Sequence, residues 1–248
     1  MRTYAVNPKY QSLADEILAI PERFAREGRV LTQGRNVIKV MEVGGMRLNV
    51  KSYKRPLLIN RFVYAYLRPT KAERSYRYAT RLLQCGIGTP EPVAYIVYRN
   101  WWGVTESYYI SLQVDCDCEF RALKVDRPAD LRQILVAFTR FTYRLHENGM
   151  YFIDHSPGNT LIKRVGNGYD FYLVDLNRMK FKSVSPECGL RNFYRLDADD
   201  DMIDVIAAEY ARLRGGDAKA MAKSLKRWTH DHNARVAARR AKKAKRKK

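Results

Sequence analysis

Phe152-Ile153-Asp154-His155-Ser156-Pro157-Gly158-Asn159-Thr160-Leu161, followed by Val174-Asp175-Leu176-Asn177, sets three side chains at fixed steps: Asn159 stands five residues after Asp154, and Asp175 sixteen after Asn159. Asp154 to Gly158 is a polar loop and Thr160 to Lys163 a short strand. A hairpin spans Val165 to Gly168 and contains Asn167-Gly168, and a returning strand, Phe171 to Val174, delivers Asp175 at its end. Ahead of the loop, Asp130 to Glu147 places Leu131, Ile134, Leu135, Phe138, Phe141, Thr142 and Leu145 on one helical stripe, and Gly149 stops it. A loop rich in polar groups therefore follows a helix buried on one side.

Working back toward the N-terminus, Arg29 to Lys51 alternates short β-type runs with glycine turns. Val30-Leu31, Val37 to Glu42 and Leu48 to Lys51 read as three antiparallel strands, with turns at Gly34-Arg35-Asn36 and Gly44-Gly45. Lys71 to Cys85 repeats apolar residues at Ala72, Tyr76, Ala79, Leu82 and Leu83, so it predicts a helix with Gly86 at its C′ position and Cys85 on the apolar face. Pro92 to Val97 and Ser107 to Val114 complete a five-stranded antiparallel sheet, joined by a loop carrying Trp101-Trp102-Gly103. Residues 1–28 read as an N-terminal extension with a short amphipathic opening (Leu13, Ile17, Leu18, Ile20) ended by Pro21. The segment from Asp197 to Leu213 is a helix with acids at its start.

The balance of residues narrows the class. At 248 residues, 46% of them hydrophobic, the chain can bury a sizeable core; no run approaches eighteen apolar residues, and no signal peptide is read, so a cytoplasmic protein is expected. Cys85, Cys116, Cys118 and Cys188 lack both zinc spacing and the density of a disulfide framework, and read as reduced thiols. A net charge of +20 calls for anionic partners: nucleic acid, acidic lipid headgroups or phosphorylated molecules.

Lys51 on a strand, Asp154 with Asn159 in a loop after a buried helix, and Asp175 after a hairpin strand resemble, in order and context, the protein-kinase superfamily. The local wording is similar to that of the lipopolysaccharide core kinases, which phosphorylate Kdo or heptose. The resemblance rests on His146-Glu147-Asn148-Gly149, the Asp154 to Leu161 run, Asp175-Leu176-Asn177-Arg178-Met179-Lys180-Phe181, Val50-Lys51-Ser52-Tyr53-Lys54-Arg55-Pro56, Lys71-Ala72-Glu73-Arg74-Ser75-Tyr76 and Gly86-Ile87-Gly88-Thr89-Pro90-Glu91-Pro92, and covers roughly residues 29–196.

That resemblance implies an α+β, two-lobed protein-kinase-like fold: an N-lobe over 29–114, a mainly helical C-lobe over 115–215 and a basic tail over 216–248. It makes Asp154 the catalytic base, Asn159 and Asp175 the Mg2+ ligands, and Lys51 the clamp on the phosphates of ATP, with Glu73 as its salt-bridge partner and Gly34-Arg35-Asn36 as the phosphate-covering turn. Phosphoryl transfer needs such a set because charge builds on several oxygens at once. Departures point away from peptide substrates. Phe152 replaces a histidine, Ser156 a loop lysine and Asn177 a glycine, and no Ala-Pro-Glu motif follows Asp175.

A small or lipid-linked acceptor such as Kdo-lipid A is therefore expected. Another kinase on this scaffold, or a basic membrane- or RNA-binding pseudokinase, stays open. Lys54, Arg55, Arg61, Arg68 and Lys71 would form a basic rim for an anionic acceptor. Arg235 to Lys248 holds nine Lys or Arg and no acid, and reads as a disordered or partly helical tail. Against anionic lipid such a segment gains about 1 kcal/mol per basic residue, which suits peripheral contact with the inner face of the cytoplasmic membrane; nucleic acid is the second choice.

Overall fold

The computed structural model describes residues 1–54 and 68–245. Arg55 and Arg61 of the expected basic rim lie outside the described residues. The chain divides into two compact units, Met1–Asp115 and Cys116–Lys248.

The first unit is built on six antiparallel strands, not five: β1 Arg2–Val6, β2 Arg29–Gln33, β3 Val37–Val43, β4 Met46–Ser52, β5 Pro92–Asn100 and β6 Gly103–Leu112, in the order β1-β5-β6-β4-β3-β2. The extra strand, β1, pairs with β5 from Arg2↔Tyr98 to Val6↔Ala94. A five-residue edge strand running straight into Asn7-Pro8 has too little alternation to be read from sequence, and its partner lies some ninety residues away. Pro21 does not end a helix either. It sits in the first turn of α2 (Ile20–Arg23), just after α1 (Ala14–Leu18), where its missing N–H costs nothing.

Side chains of β4 alternate, and the alternation divides the unit into two layers. Leu48 and Val50 face α1 and α2, packing with Ile17, Leu18, Ile20, Phe24, Met41, Val43, Ile96 and Ile110. Each such buried side chain contributes roughly 1.5–3 kcal/mol. Buried Lys39 closes this layer by donating its Nζ to the carbonyls of Phe24 (2.6 Å) and Glu27 (3.0 Å), an ammonium capping the end of α2. Lys51 and Tyr53 point the other way, toward α3 (Lys71–Gln84), which Thr70 caps by accepting the Glu73 N–H. Tyr53 Oη and Ser75 Oγ of α3 lie 2.8 Å apart. Gly86 follows α3 at φ 67°, as expected, but Cys85 is an exposed C-cap residue, off the apolar face. Gly44 and Gly45, both at positive φ, turn β3 into β4 with Val43 opposite Met46. The loop expected around Trp101 is mostly strand, since β5 and β6 pair up to Asn100↔Gly103.

The second unit opens with β7 (Cys118–Glu119) and α4 (Phe120–Asp126), then α5 (Leu131–Glu147), whose apolar stripe buries Ile134, Leu135, Phe138, Phe141 and Leu145. Strands β8 (Met150–Phe152), β9 (Thr160–Val165), β10 (Gly168–Leu173) and β11 (Met179–Phe181) form two small sheets, β10-β9-β7 and β11-β8. Gly166-Asn167 are the turn residues of the β9–β10 hairpin, because Gly168 already pairs with Val165. Helices α6 (Pro186–Arg191), α7 (Asp200–Arg214) and α8 (Ala218–Lys245) complete the unit.

The basic tail expected over 216–248 is helical from Ala218 through Lys245 and is docked before Arg235, while the part from Arg235 onward, expected as disordered or partly helical, continues the helix as far as the described residues run. Leu225 and Thr229 are buried, Lys226 pairs with Asp204 at 2.8 Å, His230 with Asp200 at 3.0 Å, and Asn233 donates to Asp197 at 2.8 Å. Alanine and lysine favour helix, and the acids around the start of α7 supply the countercharge. From Arg235 to Lys245 every basic residue is exposed. No helix among the described residues is long and apolar enough to cross a membrane.

Candidate active site

Three of the sequence-predicted residues come together on the loop and hairpin of the second unit. The β9–β10 register pairs Thr160 with Leu173, and one step beyond it the Val174 N–H donates to the Asn159 carbonyl at 3.0 Å. Asp175 is the next residue, so the hairpin sets it beside Asn159. Asn159 is fixed from the loop side as well: its Nδ2 donates to the Asp154 carbonyl at 2.8 Å and its N–H to the Ser156 carbonyl at 2.9 Å. With the amide nitrogen committed to a carbonyl, the oxygen of Asn159 is the end that can bind a cation.

Asp175 adopts a left-handed conformation, φ 61° and ψ 48°, which aspartate tolerates better than most residues. Asn177 donates its Nδ2 to Asp175 Oδ1 at 2.6 Å. The asparagine found in place of the glycine thus holds the carboxylate. An oxygen pair from Asn159 and Asp175 fits Mg2+, which takes one or two protein oxygens and completes its shell with phosphate and water. The described residues contain no group of three or more His, Cys, Asp or Glu that could hold a metal by itself.

Asp154 carries two guanidinium partners on one oxygen. Arg178 Nη1 reaches Oδ1 at 3.0 Å and Arg195 Nη1 reaches the same atom at 3.3 Å, while Oδ2 accepts no hydrogen bond among the described residues. Arg195 also donates to the Ile153 carbonyl at 2.7 Å, so it ties backbone and carboxylate together. Arg178 lies in the quoted Asp175 motif and was legible there as a residue, though without a role; Arg195, 41 residues past Asp154, left no signal.

Behind the loop runs a buried chain of hydrogen bonds. Arg214 Nε donates to Tyr210 Oη (3.3 Å), Tyr210 Oη lies 3.0 Å from His146 Nδ1, His146 Nε2 lies 3.0 Å from Asn192 Oδ1, and Asn192 Nδ2 donates to the Phe152 carbonyl at 2.8 Å. One set of proton positions satisfies every link: tyrosine donates to Nδ1, and a neutral His146 donates from Nε2 to the asparagine oxygen. Burial drives His146 down to about 4, in keeping with that neutral form. The chain ends two residues before Asp154.

His155, fully buried among the rings of Phe138, Phe152 and Phe193, is pushed by burial to about 3, and neither ring nitrogen makes a hydrogen bond among the described residues. The phenylalanine at 152, which departs from the protein-kinase pattern, belongs to this aromatic cluster.

The remaining predicted residues belong to the first unit. Lys51 is buried on β4, its Nζ 5.2 Å from the Tyr53 ring centre. Glu73, largely buried, pairs with Arg77 one turn on at 2.6 Å. The Gly34-Arg35-Asn36 turn joins β2 to β3, and Asn36 Oδ1 accepts the Lys54 N–H at 3.3 Å, which ties it to the end of β4.

No protein-family model matches the chain, and no curated protein matches it in sequence. Among solved structures, WaaP in complex with acyl carrier protein matches with a TM-score of 0.66 at 15% identity, over 94% of this chain and 99% of that one. The chain has a protein-kinase-like fold. The match extends over nearly all of it.

Proposed function

We propose that this chain is an ATP-dependent kinase that phosphorylates a sugar hydroxyl, Kdo or heptose of the lipopolysaccharide inner core. The observation that carries this reading is the juxtaposition of Asp154, Asn159 and Asp175 by one loop and one hairpin. The motif resemblance to lipopolysaccharide core kinases and the fold shared with WaaP support it. In this reading the acceptor oxygen bonds to the γ-phosphorus as the bond to the β-phosphate bridge breaks, the hydroxyl proton passes to Asp154, and ADP leaves. Because the transition state is loose, the aspartate chiefly orients the hydroxyl, and its open Oδ2 is the atom for that task.

Asn159 and Asp175 would hold Mg2+, which neutralises charge on the phosphate oxygens; Lys51 would clamp the phosphates, with Glu73 steadying it and Gly34-Arg35-Asn36 covering them. The exposed basic end of α8 would dock on anionic lipid at the inner face of the cytoplasmic membrane, where a Kdo-lipid A acceptor is found. Transfer from labelled Mg-ATP to Kdo-lipid A, to a heptose-bearing acceptor and to a generic protein substrate tests the proposal. Label on a sugar acceptor supports it; label on protein alone, or ATP binding with no transfer to any acceptor, refutes the sugar-kinase assignment.

A further inference from the structure

The β5–β6 hairpin ends in Asn100-Trp101-Trp102-Gly103, and its two tryptophans are 80% and 60% exposed. Their rings touch each other, centres 4.6 Å apart. The tip has a defined shape: Asn100 Oδ1 accepts the Trp102 N–H at 3.0 Å, and Gly103 takes φ 111°, a value side chains rarely permit. It is braced from the edge by β1, where Arg2 stands opposite Tyr98 and Arg99 donates to Thr3 Oγ1. Two indoles are thus presented on a stiff two-stranded support, with Arg99 one residue before Asn100 and Arg2, its guanidinium 5.3 Å from the Tyr4 ring centre, on the neighbouring strand. The acid on the facing strand, Glu106, is occupied by the Tyr108 hydroxyl at 2.7 Å.

Indole is apolar over its face and carries one N–H donor, so it partitions to the boundary between hydrocarbon and water. We infer that the Trp101–Trp102 tip inserts into the headgroup region of an anionic bilayer and is a membrane-docking element of the first unit. A lipid surface is favoured over a protein partner by charge and by shape. The chain carries +20, and a two-residue wedge offers far less area than a stable protein interface buries. Reversible peripheral binding commonly takes two signals, one apolar and one electrostatic. The tip supplies the apolar one, and the basic residues of α8 from Arg235 onward supply the other. The inference holds whatever the acceptor of the proposed kinase.

The test uses the full-length chain with Trp228→Phe, so that emission reports only Trp101 and Trp102, and vesicles of phosphatidylcholine with phosphatidylglycerol whose acyl chains are brominated. The expected result is a blue shift and bromine quenching on vesicle addition, together with a loss of vesicle affinity of about tenfold or more in Trp101→Ser/Trp102→Ser. Trp101→Phe/Trp102→Phe should retain most of the affinity, and circular dichroism should match across the variants. Vesicle binding with unshifted, unquenched emission and no loss in the serine variant would overturn the inference and assign docking to α8 alone. Absence of vesicle binding, or a serine variant that loses only a co-purifying protein, would overturn it as well.

Discussion

Arg195 holds Asp154 at two points, its Nη1 donating to the carboxylate Oδ1 at 3.3 Å and to the carbonyl of the preceding residue, Ile153, at 2.7 Å. A carboxylate gripped this way keeps one orientation before any acceptor arrives. If Asp154 is the base of the proposed kinase, replacing Arg195 by alanine is expected to lower kcat on the order of a hundredfold, the usual consequence of misplacing a reacting group by about an ångström. The KM for ATP should change little. Arg178, more exposed and bonded to the carboxylate alone, should give a smaller loss, so steady-state kinetics of the two alanine variants tests the ranking.

The buried chain through His146 and Asn192 should matter for stability first. Asn192→Leu orphans the Nε2–H of His146, worth roughly 1–3 kcal/mol when left unsatisfied inside a protein, and removes one of the donors to the Phe152 carbonyl, which keeps the His155 N–H at 3.3 Å. Gly189→Ala attacks the same network sterically: a Cβ there would stand 1.9 Å from Tyr210 Oη and 2.9 Å from His146 Nδ1. Urea denaturation of both variants should show lower midpoints than the unchanged protein. An unchanged midpoint in Asn192→Leu would mean that the chain of bonds contributes nothing to stability.

Acid should unfold the protein through its histidines before its carboxylates. Burial holds His146 near 4 and His155 near 3, against 6.5 for an unperturbed imidazole, so between these values the unfolded chain binds more protons than the folded one. Stability is therefore full above pH 6.5 and falls as the pH drops, with a slope approaching roughly 2.7 kcal/mol per pH unit when both rings take part. Glu209, held near 2 by its hydrogen bonds to Arg212 and Arg140, adds its loss only below 4.5. His155→Leu, which suits the phenylalanine cage, should halve the slope between pH 6 and 4.5 in a pH series of denaturation curves.

What could be read from the sequence was what lies close along it. Asp154, Asn159 and Asp175 are carried by one loop and one hairpin, and the glycines that stop α3 and α5 sit where helical periodicity ends. Arg195, Asn192 and Tyr210 reach the loop only through tertiary packing, from positions 40 to 64 residues away from their partners, and no local pattern marks them. The edge strand β1 was missed for the same reason, its pairing residues lying across the unit in β5. The docking of α8 was missed because its charge looked uncompensated, whereas Asp200 and Asp204 of α7 and Asp197 just before it meet it side by side.

The most direct test of the central assignment separates the two aspartates by single-turnover transfer and by Mg2+-dependent ATP binding in the same preparations. If Asp154 orients the acceptor and Asp175 holds the metal, Asp154→Asn should abolish phosphoryl transfer to Kdo-lipid A while binding Mg-ATP as the unchanged protein does, and Asp175→Asn should lose the Mg2+ dependence of binding as well. Transfer that survives in Asp154→Asn, or nucleotide binding in Asp175→Asn that keeps its full Mg2+ dependence, would contradict the account.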